Sequence, residues 1–298
     1  MSWCPFALCA DACARSDFAP EEVTKETLAA LTTVLKKPGV RKRPFIVRTE
    51  ADVFAAAYNI SADALAPIFL VSSVTGEGLD RLRLFLNLLP QRTEWGSKQH
   101  APASFLIDEV FSVPGVGTVV AGTCKAGVFN DATKLLLGPD PGDGTFKPAS
   151  IKSVHYKSVA VSSTVAGQSA AFSLKKVKRH AVRKGMVLLS PALQPSATWE
   201  FDADVSILTH SSTMRPKYQA VVHVGAVRQS AVVVSMSSAL LRSGDRAVVR
   251  FRFLLRPEHV SPNERFVFRE GRTKGIGVVL PSGGPMPVPS PAAAPPPS

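Results

Sequence analysis

Apolar residues fall into helical and extended periods in different parts of the chain. Between Pro20-Glu21-Glu22 and Lys36-Lys37-Pro38-Gly39, residues Leu28, Leu31, Val34 and Leu35 recur at three- and four-residue spacing. Acids at the start and lysines before a Pro-Gly stop predict an amphipathic helix over that stretch. Pro44–Arg48 (PFIVR) predicts a short strand, and Pro67–Val71 (PIFLV), apolar throughout, a strand buried on both faces. Leu79–Leu89 (LDRLRLFLNLL) predicts a second helix, with Leu82, Phe85, Leu86 and Leu89 on one face. Residues 18–92 therefore read as part of an α/β domain. The first seventeen residues have no usable period, and the polar run Gln91–Pro102 reads as a linker, set at 93–102.

From Ala103 the pattern changes to short runs of β-branched and alternating residues separated by Gly, Pro and Asp. Phe105–Val113, Gly117–Cys124, Thr133–Leu137, Ile151–Tyr156, Gln168–Leu174 and Gly185–Ser190 predict one all-β barrel over 103–194. Glu200–Leu208, Gln219–Val227, Gln229–Met236, Asp245–Leu254, Arg265–Glu270 and Gly275–Leu280 predict a second over 195–281. In Arg246–Phe253 (RAVVRFRF) the phenylalanines and arginines alternate, as on a strand with one buried face. Residues 282–298, rich in Pro and Ala, read as a disordered tail.

Composition sharpens this picture at two points. The chain has 298 residues with 45% hydrophobic content, enough for buried cores, and no apolar run of membrane-spanning length. Its formal charge is +12, which favours an anionic partner. The charge is uneven. Eight Lys or Arg and no acid lie between Ile151 and Trp199, six of the eight within Lys175–Lys184. Between Arg242 and Lys274 nine basic residues face four acidic ones. This distribution suits an RNA-facing surface. The low cysteine count fits a reducing, cytoplasmic compartment, and neither Cys nor His spacing points to a metal.

Chemistry-bearing motifs are few. Val71–Leu79 (VSSVTGEGL) joins a buried strand to a helix, where ligands commonly bind in α/β sheets. Small hydroxyls and open backbone N–H groups there could hold a purine ring, while Thr75 with Glu77 and Asp80 alternatively reads as a helix cap. The loop resembles the guanine-contacting S-x-x-T-G-E-G-L turn of GTPases. Ile107–Gly127 resembles the opening of the second domain of elongation factor Tu and its relatives, with Gly115, Gly117 and Gly122 permitting a tight turn and close backbone approach. Phe266–Val279 (FVFREGRTKGIGVV) resembles the end of their third domain. Together with Pro114–Val120, Leu136–Pro141, Ser196–Phe201 and Phe268–Lys274, these stretches make the chain similar to the GTP-binding protein 1 subfamily of translational GTPases over about 18–281. The resemblance implies the end of a P-loop GTPase domain followed by two β-barrels, with GTP and Mg²⁺ as cofactors of the full-length family.

The departures decide what activity to expect. There is no Gly-Lys dipeptide, hence no phosphate loop, and no D-x-x-G or [NT]-K-x-D. Thr24-Lys25-Glu26-Thr27 imitates the last of these inside the predicted helix. Asp17 falls where the family's guanine-reading Asp lies, but Ala14-Arg15-Ser16 precedes it. Residues 1–17 do not resemble the family and read as an alternative start, so an N-terminal GTPase segment is expected to be missing. A guanine-binding remnant of Ser72, Ser73, Val74 and Asp17 is what remains; no catalytic residue is expected, and neither is GTP hydrolysis by this chain alone. The resemblance implies tRNA and the ribosome as partners. Lys175, Lys176, Lys178, Arg179, Arg183 and Lys184, and secondarily Arg269, Arg272 and Lys274, are the expected RNA contacts. The alternative is a GTP-independent adaptor, RNA- or protein-binding, built of the two barrels.

Overall fold

The structure, a computed structural model, describes residues 8–9, 21–36, 41–62, 64–91, 93–209, 213–271 and 273–281. It divides into two compact units, 1–93 and 94–298. Among the described residues no helix is long and apolar enough to cross a membrane.

The first unit runs β1 (Leu8–Cys9), α1 (Glu21–Lys36), β2 (Arg43–Val47), α2 (Glu50–Asn59), β3 (Leu65–Phe69) and α3 (Leu79–Leu88). β3 lies between β1 and β2, parallel to both. Alternate β3 residues pack on opposite faces. Ala66 and Ile68 meet Leu35 of α1, while Phe69, with Val47, meets Val53 and Ala56 of α2 and Phe85 of α3. Helices thus cover both faces of a parallel sheet, as the apolar β3 sequence required. The buried strand sits two residues earlier than the sequence pattern placed it. The leader, whose sequence has no usable period, supplies the short edge strand β1. α2 was not expected; Thr49 and Asp52 form its capping box, each side chain accepting from the other's backbone N–H.

The second unit opens with α4 (Trp95–Gln99) inside the stretch expected to be a linker. It is docked rather than free. The Gly127 N–H donates to the Lys98 carbonyl, and a Cβ on Gly167 would come within 2.7 Å of the Trp95 indole.

Next come β4 (Ser104–Val113), β5 (Gly117–Ala126), β6 (Val128–Phe129), β7 (Leu135–Gly138), β8 (Lys147–Ala149), β9 (Ile151–Tyr156), β10 (Val159–Val161), β11 (Thr164–Val165), β12 (Ser169–Leu174) and β13 (Val187–Leu189). Eight of them form one antiparallel sheet in the order β10-β9-β12-β5-β4-β13-β7-β8, with β6 and β11 as a separate ribbon. β8 is one edge of that sheet and β9 the last strand but one at the other end, yet only Ser150 separates them. The sheet therefore has to curl until its ends meet. It does so around a core including Phe105, Phe129, Ile151 and Phe172, so a barrel-like body forms without a continuous ladder. At Gly122 a Cβ would lie 1.9 Å from the Leu106 carbonyl oxygen, the close approach expected of that glycine.

The last part has β14 (Glu200–Thr209), β15 (Gln219–Val224), β16 (Val227–Met236), β17 (Arg246–Phe253), β18 (Arg265–Glu270) and β19 (Thr273–Val279). They close a barrel in the order β14-β17-β16-β15-β18-β19. Phe201, Phe251, Phe253, Phe266 and Phe268 fill it, ring centres 5.2–6.2 Å apart. Gly275 and Gly277 face Phe268 and Phe266 across the β18–β19 ladder. A Cβ at either would strike the opposing ring at 2.1 or 2.6 Å. The Phe266–Val279 stretch is thus a packing device in which aromatic rings lie over glycine backbone.

Candidate functional site

The loop after β3 is held by its own first hydroxyl. Ser72 is buried, and its Oγ accepts from the backbone N–H of Val74 at 3.3 Å and Thr75 at 3.1 Å. The Ser72 N–H donates to the Glu77 carbonyl, closing the loop from the other side. Those two amides are therefore engaged within the loop, where the sequence suggested open donors. Ser73 and Val74 are exposed at its tip. Helix α3 is not capped by Thr75; its N-cap is Gly78, at φ 77°, where a Cβ would meet the Leu70 carbonyl oxygen at 2.2 Å. Asp17 lies outside the described residues. The N–H groups of Ser72, Val74, Thr75, Gly76 and Glu77 all serve the loop's own turn, so they are not open donors for a purine ring.

The basic run lies between β12 and β13 and contains a 3₁₀ turn at Arg179–Ala181. Lys175, Lys176 and Lys178 are exposed and make no ion pair among the described residues. The other three differ. Arg179 turns back to donate to the Val182 carbonyl at 3.0 Å, and Lys184 pairs with Glu109 at 3.0 Å on the surface. Arg183 is withdrawn: its Nη2 meets Glu258 Oε2 at 2.8 Å, with the carboxylate 1% exposed. Arg183, expected as an RNA contact, is thus mostly buried and already paired with a carboxylate. Counting charges along the chain could not reveal a partner 75 residues away.

Glu258 belongs to a hub between the two β-rich parts. Its other oxygen accepts from Gln229 Nε2 at 3.1 Å and Arg256 Nε at 3.2 Å. Gln229, itself buried, accepts with Oε1 from the amides of Leu255 and Arg256. Gly185 packs on Val227 beside the hub. The basic run thus ends against the β15–β16 turn of the closed barrel.

The barrel's own charge is divided by sector. On β14 and β17 the outward residues pair across the ladder. Glu200 meets Arg252 at 3.8 Å, Asp202 takes both Arg250 nitrogens at 2.7 Å, and Asp204 holds Arg246. These aspartates raise the Arg246 and Arg250 pKa values through hydrogen bonding. Three of the arginines counted in this region are therefore paired with acids that precede the counted window. On β15, β16, β18 and β19 the outward positions carry Arg228, Arg265, Arg269, Lys274 and His223, and the one carboxylate among these strands, Glu270, is the last residue of β18. Arg269 stands directly opposite Lys274. Arg272 lies outside the described residues. Arg228 and Arg265 were missed by sequence reasoning; with β pairing unknown, nothing distinguished them from the neutralised arginines.

The hairpin joining β4 and β5 also went unremarked as a surface. Phe111, Val113 and Val116 are exposed on it, and the Thr118 hydroxyl at its base donates to the Val177 carbonyl of the basic run at 2.7 Å. An apolar, partly aromatic patch therefore adjoins the exposed lysines.

The chain is 48% identical over 263 residues to GTP-binding protein 1 of Xenopus laevis, covering 88% of this chain and 40% of that protein. It is 40% identical over 268 residues to GTP-binding protein 2 of Homo sapiens, covering 88% and 44%. Over 88% of its length the chain is thus a relative of GTP-binding proteins 1 and 2. Elongation factor 1-alpha of Ignicoccus hospitalis is 27% identical over 214 residues, which are 65% of this chain and 47% of the factor. The solved structure of translation elongation factor SelB from Methanococcus maripaludis, in its apo form, shares the fold, with a TM-score of 0.63 at 18% identity over 89% of this chain and 57% of that one. No family model matches the chain. The chain spans about two fifths of the length of the GTP-binding proteins it matches.

Proposed function

We propose that this chain is the RNA-facing part of a translational GTPase, binding tRNA in a cytoplasmic, ribosome-linked role, with GTP and Mg²⁺ handled by the full-length relatives rather than by this chain alone. The observation that supports the reading is the distribution of unpaired charge. The exposed lysines at 175, 176 and 178 adjoin an apolar hairpin, their loop ends at the seam of the closed barrel, and the positive sector of that barrel contains Arg269 and Lys274. Cations free of carboxylates release counterions when they meet phosphodiesters, whereas those of the β14–β17 ladder are already neutralised. Ser73 and Val74 are proposed as a guanine-contacting remnant, with Ser72 as its internal brace.

The second reading, a GTP-independent adaptor, is favoured by one observation: none of the 298 residues forms a phosphate-loop motif. Titration of tRNA over a salt series tests the first. Replacing Lys175, Lys176 and Lys178 by Glu is expected to weaken binding and flatten the log–log salt slope by about 0.9 for each phosphate no longer neutralised. Replacing Arg246 and Arg252 by Gln should leave the slope unchanged. Equal effects of both sets would overturn the assignment. A phosphate-release assay checks the other half, since GTP turnover by the purified chain above the buffer blank would defeat the expectation of no hydrolysis.

A further inference from the structure

His223 occupies the middle of the positive sector. On β15 it stands opposite Arg228 of β16 and Val267 of β18, and Arg269 is opposite Val221, the next outward position on its own strand. Arg265 lies at the other side of Val267. The His223 Nε2 is closed off from water and has no hydrogen-bond partner among the described residues. Every charged group facing the ring from the packed strands is a guanidinium: Arg228 on one side, Arg265 and Arg269 on the other. Lys274 lies one strand further, opposite Arg269. The nearest carboxylates on these elements are at the margins. Glu264 approaches Gly225 beyond the end of β15, and Glu270 closes β18. Lys184, near the adjoining turn, is already paired with Glu109.

A half-buried imidazole with its Nε2 closed off, set between guanidiniums, is hard to charge. Burial first, then Arg228 and Arg269, push the His223 pKa below its ordinary value. A phosphodiester resting on the same guanidiniums reverses the local field and favours the protonated ring. We propose that binding of an RNA phosphate backbone to this sector is coupled to proton uptake by His223, so that the surface grips its polyanion more tightly as pH falls. The inference rests on the RNA reading above and adds a regulatory group to it. By linkage, if the bound-state pKa exceeds the free-state value, affinity rises as pH drops from the bound value to the free one and is flat outside that window.

Site-resolved NMR titration of the His223 ring in the full chain tests this directly, without polyanion, with saturating tripolyphosphate and with saturating tRNA. The expected result is a rise of about one unit or more in its pKa, which is about a tenfold gain in affinity across the window. tRNA binding measured at pH 7.5 and 5.5 should then strengthen more in the wild type than in His223→Gln, with His180→Gln as the control for the histidine in the basic run. An unchanged His223 pKa in the presence of both polyanions overturns the coupling. A raised pKa with tripolyphosphate but no tRNA binding at any salt keeps the coupling and defeats the RNA reading. tRNA binding with identical pH dependence in the wild type and His223→Gln keeps the RNA reading and defeats the coupling.

Discussion

Arg183 and Glu258 form a buried ion pair across the seam between the two β-rich parts, Nη2 to Oε2 at 2.8 Å. Both Glu258 oxygens are engaged, by Arg183, Gln229 and Arg256. Removing one partner leaves a buried charge without its counterpart. Glu258→Ala is therefore expected to destabilise the chain by about 3–5 kcal/mol. Urea unfolding should register this as a lower midpoint, and a loss under about 1 kcal/mol would place the hub among ordinary surface pairs.

Two glycines with opposite surroundings give a paired test of the barrel interior. Gly275→Ala sets a methyl group into the Phe268 ring, and the expected cost is about 2–3 kcal/mol from overpacking. Gly96 lies in α4 with nothing within 4 Å of its would-be Cβ. Gly96→Ala should be neutral or stabilise by up to about 1 kcal/mol through helix propensity. Thermal unfolding of both variants decides whether the motif's glycines serve packing.

The β9–β10 hairpin turns through Lys157 at φ 49° and Ser158 at φ 66°. Both central residues of this two-residue turn are left-handed, a conformation suited to Asn-Gly, yet neither has the side chain for it. Replacing Lys157 by Asn and Ser158 by Gly is expected to raise stability by about 1–2 kcal/mol. An unchanged melting temperature would mean that the turn is not strained.

Cys124 is fully buried, its Sγ 3.8 Å from Thr164 Oγ1, and burial pushes the thiol up to about 11. At pH 8 only about one molecule in a thousand carries the thiolate. Native protein treated with iodoacetamide should leave Cys124 unmodified in peptide maps, and urea should expose it. Because the folded-state value is raised, its contribution to stability is complete below about pH 8.5 and disappears as pH rises towards 11. Cys124→Ala should remove that alkaline component.

How far the sequence foretold these arrangements depended on range. Helices α1 and α3 and most long strands follow local periods, and the alternation in Arg246–Phe253 correctly put its phenylalanines inside. α2 was missed although Thr49 and Asp52 spelled its capping box, because its apolar residues are mostly alanine and its exposed face carries Phe54 and Tyr58. The short helix α4 within the expected linker was not foreseen, since Trp95 lies against Gly167, far along the chain. At the candidate site, the exposed lysines were legible as a run without acids. Arg183 and the β14–β17 pairs were not, since what silences a charge is its neighbour across a ladder.

The uneven barrel also has a consequence for how it meets a partner. A body neutral on one flank and positive on the other carries an electric dipole. In the field of a polyanion it experiences a torque as well as an attraction, effective within roughly one Debye length, about 8 Å in physiological salt. Rotation into register would then precede contact, and the arginine ladder would arrive facing away, its cations already satisfied.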